Sequence, residues 1–92
     1  MERLTHRTDA VYRLPEDALV RDAEGYAGPA ADRLGRCEDL CEAVLAEQQS
    51  ITAALEHLRA AGKNKTARYQ TLMGQKLINA GVIDLLKQYR LV

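Results

Sequence analysis

Apolar and polar positions between Pro29 and Ala61 alternate with helical spacing. A heptad stripe repeats there in steps of three and four residues, and only one of its members is polar. Its members are Leu34, Cys37, Cys41, Val44, Gln48, Ile51, Leu55 and Leu58. Such a repeat predicts one long amphipathic helix. Pro29 suits the first helical turn, and Gly62 suits the position just after the last one.

The length of this helix raises the question of what covers its stripe. A helix of about 30 residues would be about 45 Å long, which exceeds the diameter of a compact 92-residue domain. Either the stripe packs on a second chain, or the helix is broken near the polar segment 48–50. We expect a homodimer through the eight stripe residues. Gln48 would then set the register of the dimer, or alternatively mark a bend.

Two shorter helices are predicted after the basic connector at 63–65. Asn64 or Thr66 can cap the first of them. Its packing positions are spaced by three or one: Tyr69, Leu72, Met73, Lys76, Leu77 and Ala80. We expect Gly81 to end this helix and a third helix, from Ile83 to Tyr89, to follow.

Residues 1–28 lack a helical pattern. Two short β-like runs, at 10–14 and 18–21, flank a possible turn at 15–17. The predicted fold is therefore mainly α, with an irregular or short β-hairpin N-terminal arm, one long amphipathic helix and two shorter C-terminal helices. The arm takes residues 1–28, and the helical domain takes residues 29–92.

Composition also supports helices. The chain is 47% apolar but has no Phe or Trp, which are residues that favour strands. Its zero net charge is a cancellation. Residues 1–56 hold six Lys/Arg and twelve Asp/Glu, whereas residues 57–92 hold seven Lys/Arg and one acid, Asp84. The whole chain is thus not a basic nucleic-acid binder, but its last third has the charge of one.

The basic residues after the long helix form the best candidate site. The expected partner-binding residues are Lys63, Lys65, Arg68, Tyr69 and Lys76. In one interpretation they grip nucleic-acid backbone, with a helix-turn-helix around 80–82. In another they meet an acidic protein surface, either a partner's or the acidic half of the same protein. A third interpretation is a solvated basic face.

The sequence gives little support for a metal site or for catalysis. Cys37 and Cys41 share one helix face, but zinc needs about four ligands, and His6 and His57 are the only histidines. We expect both cysteines to pack in the core, with an intersubunit disulfide as the minor alternative. Ser50 is the only serine, and no glycine-rich phosphate loop occurs. We predict no metal, no cofactor and no enzymatic activity.

The expected localisation depends on two kinds of segment, a membrane span and a signal peptide. No apolar run reaches the about 18 residues of a membrane span. The opening MERLTHRTD is charged and polar, unlike a signal peptide. A cytoplasmic protein is therefore expected.

Two segments resemble small open reading frames in phages and prophages of Gram-positive gut bacteria. The opening MERLTHR is similar to an MERLT-x-R start, and the tail is similar to a G-K-x-K-T-x-R-aromatic pattern that ends in Y-x-L. The matching tail residues are Gly62, Lys63, Lys65, Thr66, Arg68, Tyr69, Leu72, Lys76, Leu77, Asn79, Tyr89 and Leu91. The resemblance covers under half of the chain and implies a mobile-element origin.

Taken with the missing catalytic residues, that origin suggests stoichiometric binding to a host macromolecule. Its concrete form is an inhibitor of bacterial immunity, similar to anti-CRISPR proteins. A host protein is the favoured partner. The alternatives are a small DNA-binding regulator that uses the basic C-terminal helices and a structural dimerisation module.

Overall fold

The computed structural model describes all 92 residues, which form two compact units, Met1–Glu38 and Asp39–Val92. The elements in chain order are β1 (His6–Thr8), β2 (Val11–Arg13), a 3-10 turn (Glu16–Ala18), β3 (Val20–Asp22), β4 (Gly25–Ala27), α1 (Pro29–Ala60) and α2 (Ala67–Gln88). The fold is mainly α, as predicted, but the predicted number of helices is wrong.

The C-terminal segment is one helix rather than two, because α2 continues through Gly81. A single glycine in a helix interior costs only about 1 kcal/mol relative to alanine. Packing on both sides of Gly81 outweighs that cost, since Asn79, Ile83 and Leu86 are all buried at helical spacing. The break predicted at 80–82 is absent, and with it the basis for a helix-turn-helix.

The end of α1 is fixed by a glycine, as the sequence predicts. Gly62 has a φ of +72°, a conformation that favours glycine. Its N–H donates to the Arg59 carbonyl at 3.0 Å, and the Lys63 N–H donates to the Leu58 carbonyl at 2.8 Å. These two bonds form a Schellman motif, which satisfies carbonyls that the helix end would leave unpaired.

The N-terminal unit contains two β-hairpins instead of one. The β-like run at 10–14 contains β2 and the run at 18–21 overlaps β3, but these strands do not pair with each other. Each pairs antiparallel with its nearer neighbour across a two-residue loop: β1 with β2, and β3 with β4. The predicted turn at 15–17 is present as a 3-10 turn, in which the Ala18 N–H donates to the Pro15 carbonyl at 3.0 Å, but it does not join two paired strands.

The backbone at Gly28 passes close to the backbone of Ala18 in this unit. Ala18 is buried at 3% exposure, and its carbonyl oxygen would lie 2.9 Å from a Cβ placed on Gly28. Gly28 also has a φ of +113°. No other residue type suits this position, just before α1 begins.

The core of the second unit lies between α1 and α2. Ile51, Leu55 and Tyr69 are buried together. The partly buried side chains of Leu58, Leu72 and Met73 pack against them. Residues from both helices contribute, so this unit is a helical hairpin whose apolar sides face each other.

Candidate functional site

Three of the predicted partner-binding residues lie together at the connection between the helices. Lys63 and Lys65 are exposed in the connection, and Arg68 is exposed in the first turn of α2. We call these three residues the basic loop. No Asp or Glu occurs between Glu56 and Asp84 to neutralise them along the chain. The connection therefore presents a positively charged surface.

The backbone of the basic loop is held by hydrogen bonds. The Thr66 hydroxyl donates to the Lys63 carbonyl at 2.8 Å and accepts from the Tyr69 N–H at 3.3 Å. Thr66 is thus the N-cap of α2, which decides between the two capping residues that the sequence allowed. With the Schellman motif before it and this cap after it, the loop is fixed at both ends.

The dipole of α2 adds to the positive charge of the loop, whereas the C-terminal end of α1 has the opposite partial charge. The first turn of α2 holds no acidic residue and carries Arg68, although the positive end of a helix dipole is stabilised by anions. The last turn of α1 carries His57 and Arg59. An anionic group placed beside Arg68 would therefore meet positive charge and the N-terminal end of α2.

Tyr69 and Lys76 lie on the side of α2 that faces α1. Tyr69 is only 8% exposed, and its hydroxyl accepts a hydrogen bond of 2.6 Å from the Arg59 guanidinium. Lys76 is half-buried, and its carbonyl accepts from the Gln48 side chain at 2.9 Å. Both residues therefore take part in helix packing, and contact with a partner stays a prediction for them.

Half of the predicted dimer stripe is buried within a single chain. Cys41, Val44, Ile51 and Leu55 are buried, Cys37, Gln48 and Leu58 are half-buried, and Leu34 is exposed. From Ile51 onward the stripe packs against α2. A dimer through this part of the stripe, which stays a prediction, would require α2 to move away.

Gln48 connects the two helices. Its amide donates to α2, while its Oε1 atom is buried without a hydrogen-bond partner. Asn79 accepts from Gln75 at 3.0 Å, and its Nδ2 atom is likewise buried without a partner. The polar position in the stripe thus belongs to a partly satisfied polar layer inside the helical hairpin.

Sequence reasoning missed a groove in the N-terminal unit. It has a volume of about 420 Å³, and Arg33 is its only charged lining residue. The lining residues are Leu4, Thr5, Tyr12, Leu14, Ala30, Arg33, Leu34 and Cys37. Arg33 also donates to the Glu2 carbonyl at 2.8 Å, which ties the N-terminal segment to α1. The periodicity pointed only to Leu34 and Cys37, because nothing in the sequence reveals this long-range contact.

No cluster of three or more potential ligands is placed to hold a metal ion. Cys37 is half-buried and Cys41 is buried. Neither helix combines the length and apolar character needed to cross a membrane.

No protein-family model, curated protein or solved structure matches the chain. The function of the basic loop is therefore inferred from its own chemistry.

Proposed function

We propose that the protein is a non-enzymatic binding protein whose basic loop attaches to an acidic surface of a host protein in the bacterial cytosol. The observation that carries this proposal is the separation of charge along the chain. Residues 57–83 contain five Lys/Arg and no Asp or Glu. Three of those five, the basic loop, are exposed together where the backbone is fixed.

The fixed backbone of the basic loop supports binding to a specific surface. Ordering a flexible loop on binding costs free energy, and a loop that is already ordered avoids much of that cost. Complementary charge also accelerates the encounter and disfavours partners of the wrong sign. A short ordered loop with three cations is therefore suited to stoichiometric binding of an acidic patch.

The resemblance to phage sequences suggests which kind of binding protein this is. A protein that acts by occupying a surface needs no catalytic residues, and an inhibitor of bacterial immunity works in this way. We propose an anti-CRISPR-like inhibitor as that form. Its support is the resemblance of the opening MERLTHR and of the tail around the basic loop to phage and prophage sequences.

A charge-matched pull-down tests the proposal. Tagged wild-type protein is compared, in nuclease-treated lysate of a Gram-positive host, with a loop variant that carries Lys63→Ala, Lys65→Ala and Arg68→Ala. The control variant carries Arg13→Ala, Arg21→Ala and Arg36→Ala, which removes three exposed cations elsewhere in the chain.

We expect the wild type and the control variant to retain the same host protein, and the loop variant to lose it. Equal capture by all three proteins would contradict the proposal. If far-ultraviolet circular dichroism is the same for the three proteins, lost capture reflects the removed charges rather than unfolding.

A DNA-binding regulator is the second candidate, and the acid-free segment 57–83 is the observation that favours it. It is less favoured because α2 is continuous and offers no separate recognition helix. This candidate predicts duplex DNA binding that weakens steeply with salt, because phosphate contacts release counterions. A gel shift at low and high salt separates it from protein binding.

A further inference from the structure

We propose that a second copy of the chain packs antiparallel on the side of α2 that points away from α1. This surface, the outer face, is formed by Gly74, Ile78, Gly81 and Leu85. The inference goes beyond the proposed function and does not depend on it, since the basic loop lies elsewhere in the helical hairpin.

The outer face is apolar where a surface helix is normally polar. Ile78 is 62% exposed and Leu85 is 57% exposed. Leu77, at 70%, and Tyr89, at 77%, lie beside them. Between Tyr69 and Leu86, Asp84 is the only exposed charged residue. The helix therefore has two apolar sides, of which α1 covers one.

Two glycines leave bare backbone on this face. Gly74 and Gly81 are seven residues apart, so they lie on the same side of the helix. A Cβ built on either of them meets nothing within 4 Å. No contact within the chain requires glycine there, although glycine makes a helix less stable than alanine would. Bare backbone on a helix does, however, allow a second helix to approach closely.

The spacing of large and small residues suits an antiparallel pair. If two α2 helices cross between Asn79 and Ala80, Ile78 lies opposite Gly81 of the second copy. Leu85 then lies opposite Gly74 of the second copy. Each large side chain fills the space above a glycine, and the two-fold axis repeats both contacts.

Charge also favours the antiparallel arrangement. A parallel pair would bring two basic loops together, with three cations on each. An antiparallel pair separates the loops by about the length of α2, roughly 33 Å for its 22 residues. Beyond a Debye length of about 8 Å, their repulsion is largely screened.

The area on and beside the outer face fits a dimer at the small end of the ordinary size range. The exposed apolar side chains on the outer face and beside it, at roughly 100 Å² each, provide on the order of 400 Å² per protomer; they are Leu77, Ile78, Leu85 and Tyr89. Homodimer interfaces are about 65% apolar in area, so the total is roughly 600 Å² per protomer. A standard-size interface takes about 800 Å² from each partner.

Sedimentation equilibrium from low micromolar to submillimolar concentration tests the proposal. We expect a reversible dimer for the wild type. Ile78→Glu and Leu85→Glu should each weaken it at least about tenfold, because a carboxylate would be buried without a partner. The control Leu40→Glu changes an exposed leucine of α1 and should leave the dimerisation constant unchanged. A chain that stays monomeric throughout, or a dimer weakened only by Leu40→Glu, would overturn the proposal.

The glycines provide a test that a folding defect cannot mimic. Gly74→Ala and Gly81→Ala should raise the thermal midpoint of the dilute monomer, because alanine is the better helix former. The same substitutions should weaken the dimer, because each added methyl group occupies the contact. A higher thermal midpoint with unchanged dimerisation would contradict the proposal.

Cross-linking tests the orientation in a chain that carries Cys37→Ala and Cys41→Ala. Chains with Gly74→Cys and chains with Leu85→Cys are oxidised separately and then as a mixture. In the antiparallel pair, identical positions are about 16 Å apart along the helix, too far for a disulfide. We expect cross-linked dimers only in the mixture, and cross-linking of either chain with itself would overturn the antiparallel arrangement.

Discussion

At the scale of single residues, Ala10 and Arg90 have backbone conformations that side-chain-bearing residues rarely adopt. Their φ angles are +66° and +57°. Ala10 occupies the loop between β1 and β2 together with Asp9, whose φ is +50°. Arg90 follows α2 in the position that Gly62 holds after α1. Strain of this kind costs on the order of 1 kcal/mol at each residue.

Ala10→Gly should therefore stabilise the first hairpin by up to about 1 kcal/mol. The matched control is Ala23→Gly in the loop between β3 and β4. Ala23 does not have a positive φ, so glycine relieves no strain there. It only raises the conformational entropy of the unfolded chain and should destabilise the second hairpin. Amide exchange at Thr8 and Val11, the hydrogen-bonded pair next to the loop of the first hairpin, measures the effect. Slower exchange in Ala23→Gly than in Ala10→Gly would contradict the strain assigned to Ala10.

At the scale of elements, the sequence predicted α1 well because several signals agree along it. The heptad stripe, Pro29 and Gly62 together placed its start at the right residue and its end within one residue. α2 was divided wrongly because Gly81 was given more weight than the apolar spacing that continues on both sides of it. The hairpin at Asp9 and Ala10 was missed because its loop lacks the usual Asn-Gly or Asp-Gly pair.

Replacing glycine by alanine should change the stability of the protein in opposite directions inside α1 and just after it. Gly62→Ala should destabilise the protein by about 1 kcal/mol, because the residue has a positive φ in the Schellman motif. Gly35→Ala should stabilise α1 by up to about 1 kcal/mol, since a Cβ at that helical position meets nothing within 4 Å. Urea denaturation of both variants checks this, and shifts of the same sign would be inconsistent with the assignment.

The polar layer between α1 and α2 yields a further prediction. Gln48→Leu removes an oxygen that is buried without a partner and should stabilise the helical hairpin by about 1 kcal/mol. The lost bond to the Lys76 carbonyl limits this gain. Gln49→Leu, at the exposed neighbouring position, is the control and should have little effect. A lower urea midpoint for Gln48→Leu would mean that the bond to Lys76 outweighs the unpaired oxygen.

At the scale of the whole molecule, a heptad stripe does not reveal whether its cover is another chain or a later helix of the same chain. Here α2 covers much of it, with Tyr69 packed against Ile51 and Leu55. Sequence spacing was likewise ambiguous about which candidate-site residues are covered by the other helix. Charge spacing identified Lys63, Lys65 and Arg68 as an exposed group. It did not show that Tyr69 and Lys76 lie on the side of α2 that faces α1, because that depends on how the two helices pack.

The central claim is that the basic loop provides the charge that holds a host partner. The most direct measurement is the affinity of the purified partner for the wild type and for the variant with Lys63→Ala, Lys65→Ala and Arg68→Ala, at about 0.05 and 0.3 M salt. We predict that the variant binds at least about thirtyfold more weakly at low salt and loses most of the salt dependence. Equal affinity and equal salt dependence for the two proteins would contradict the account.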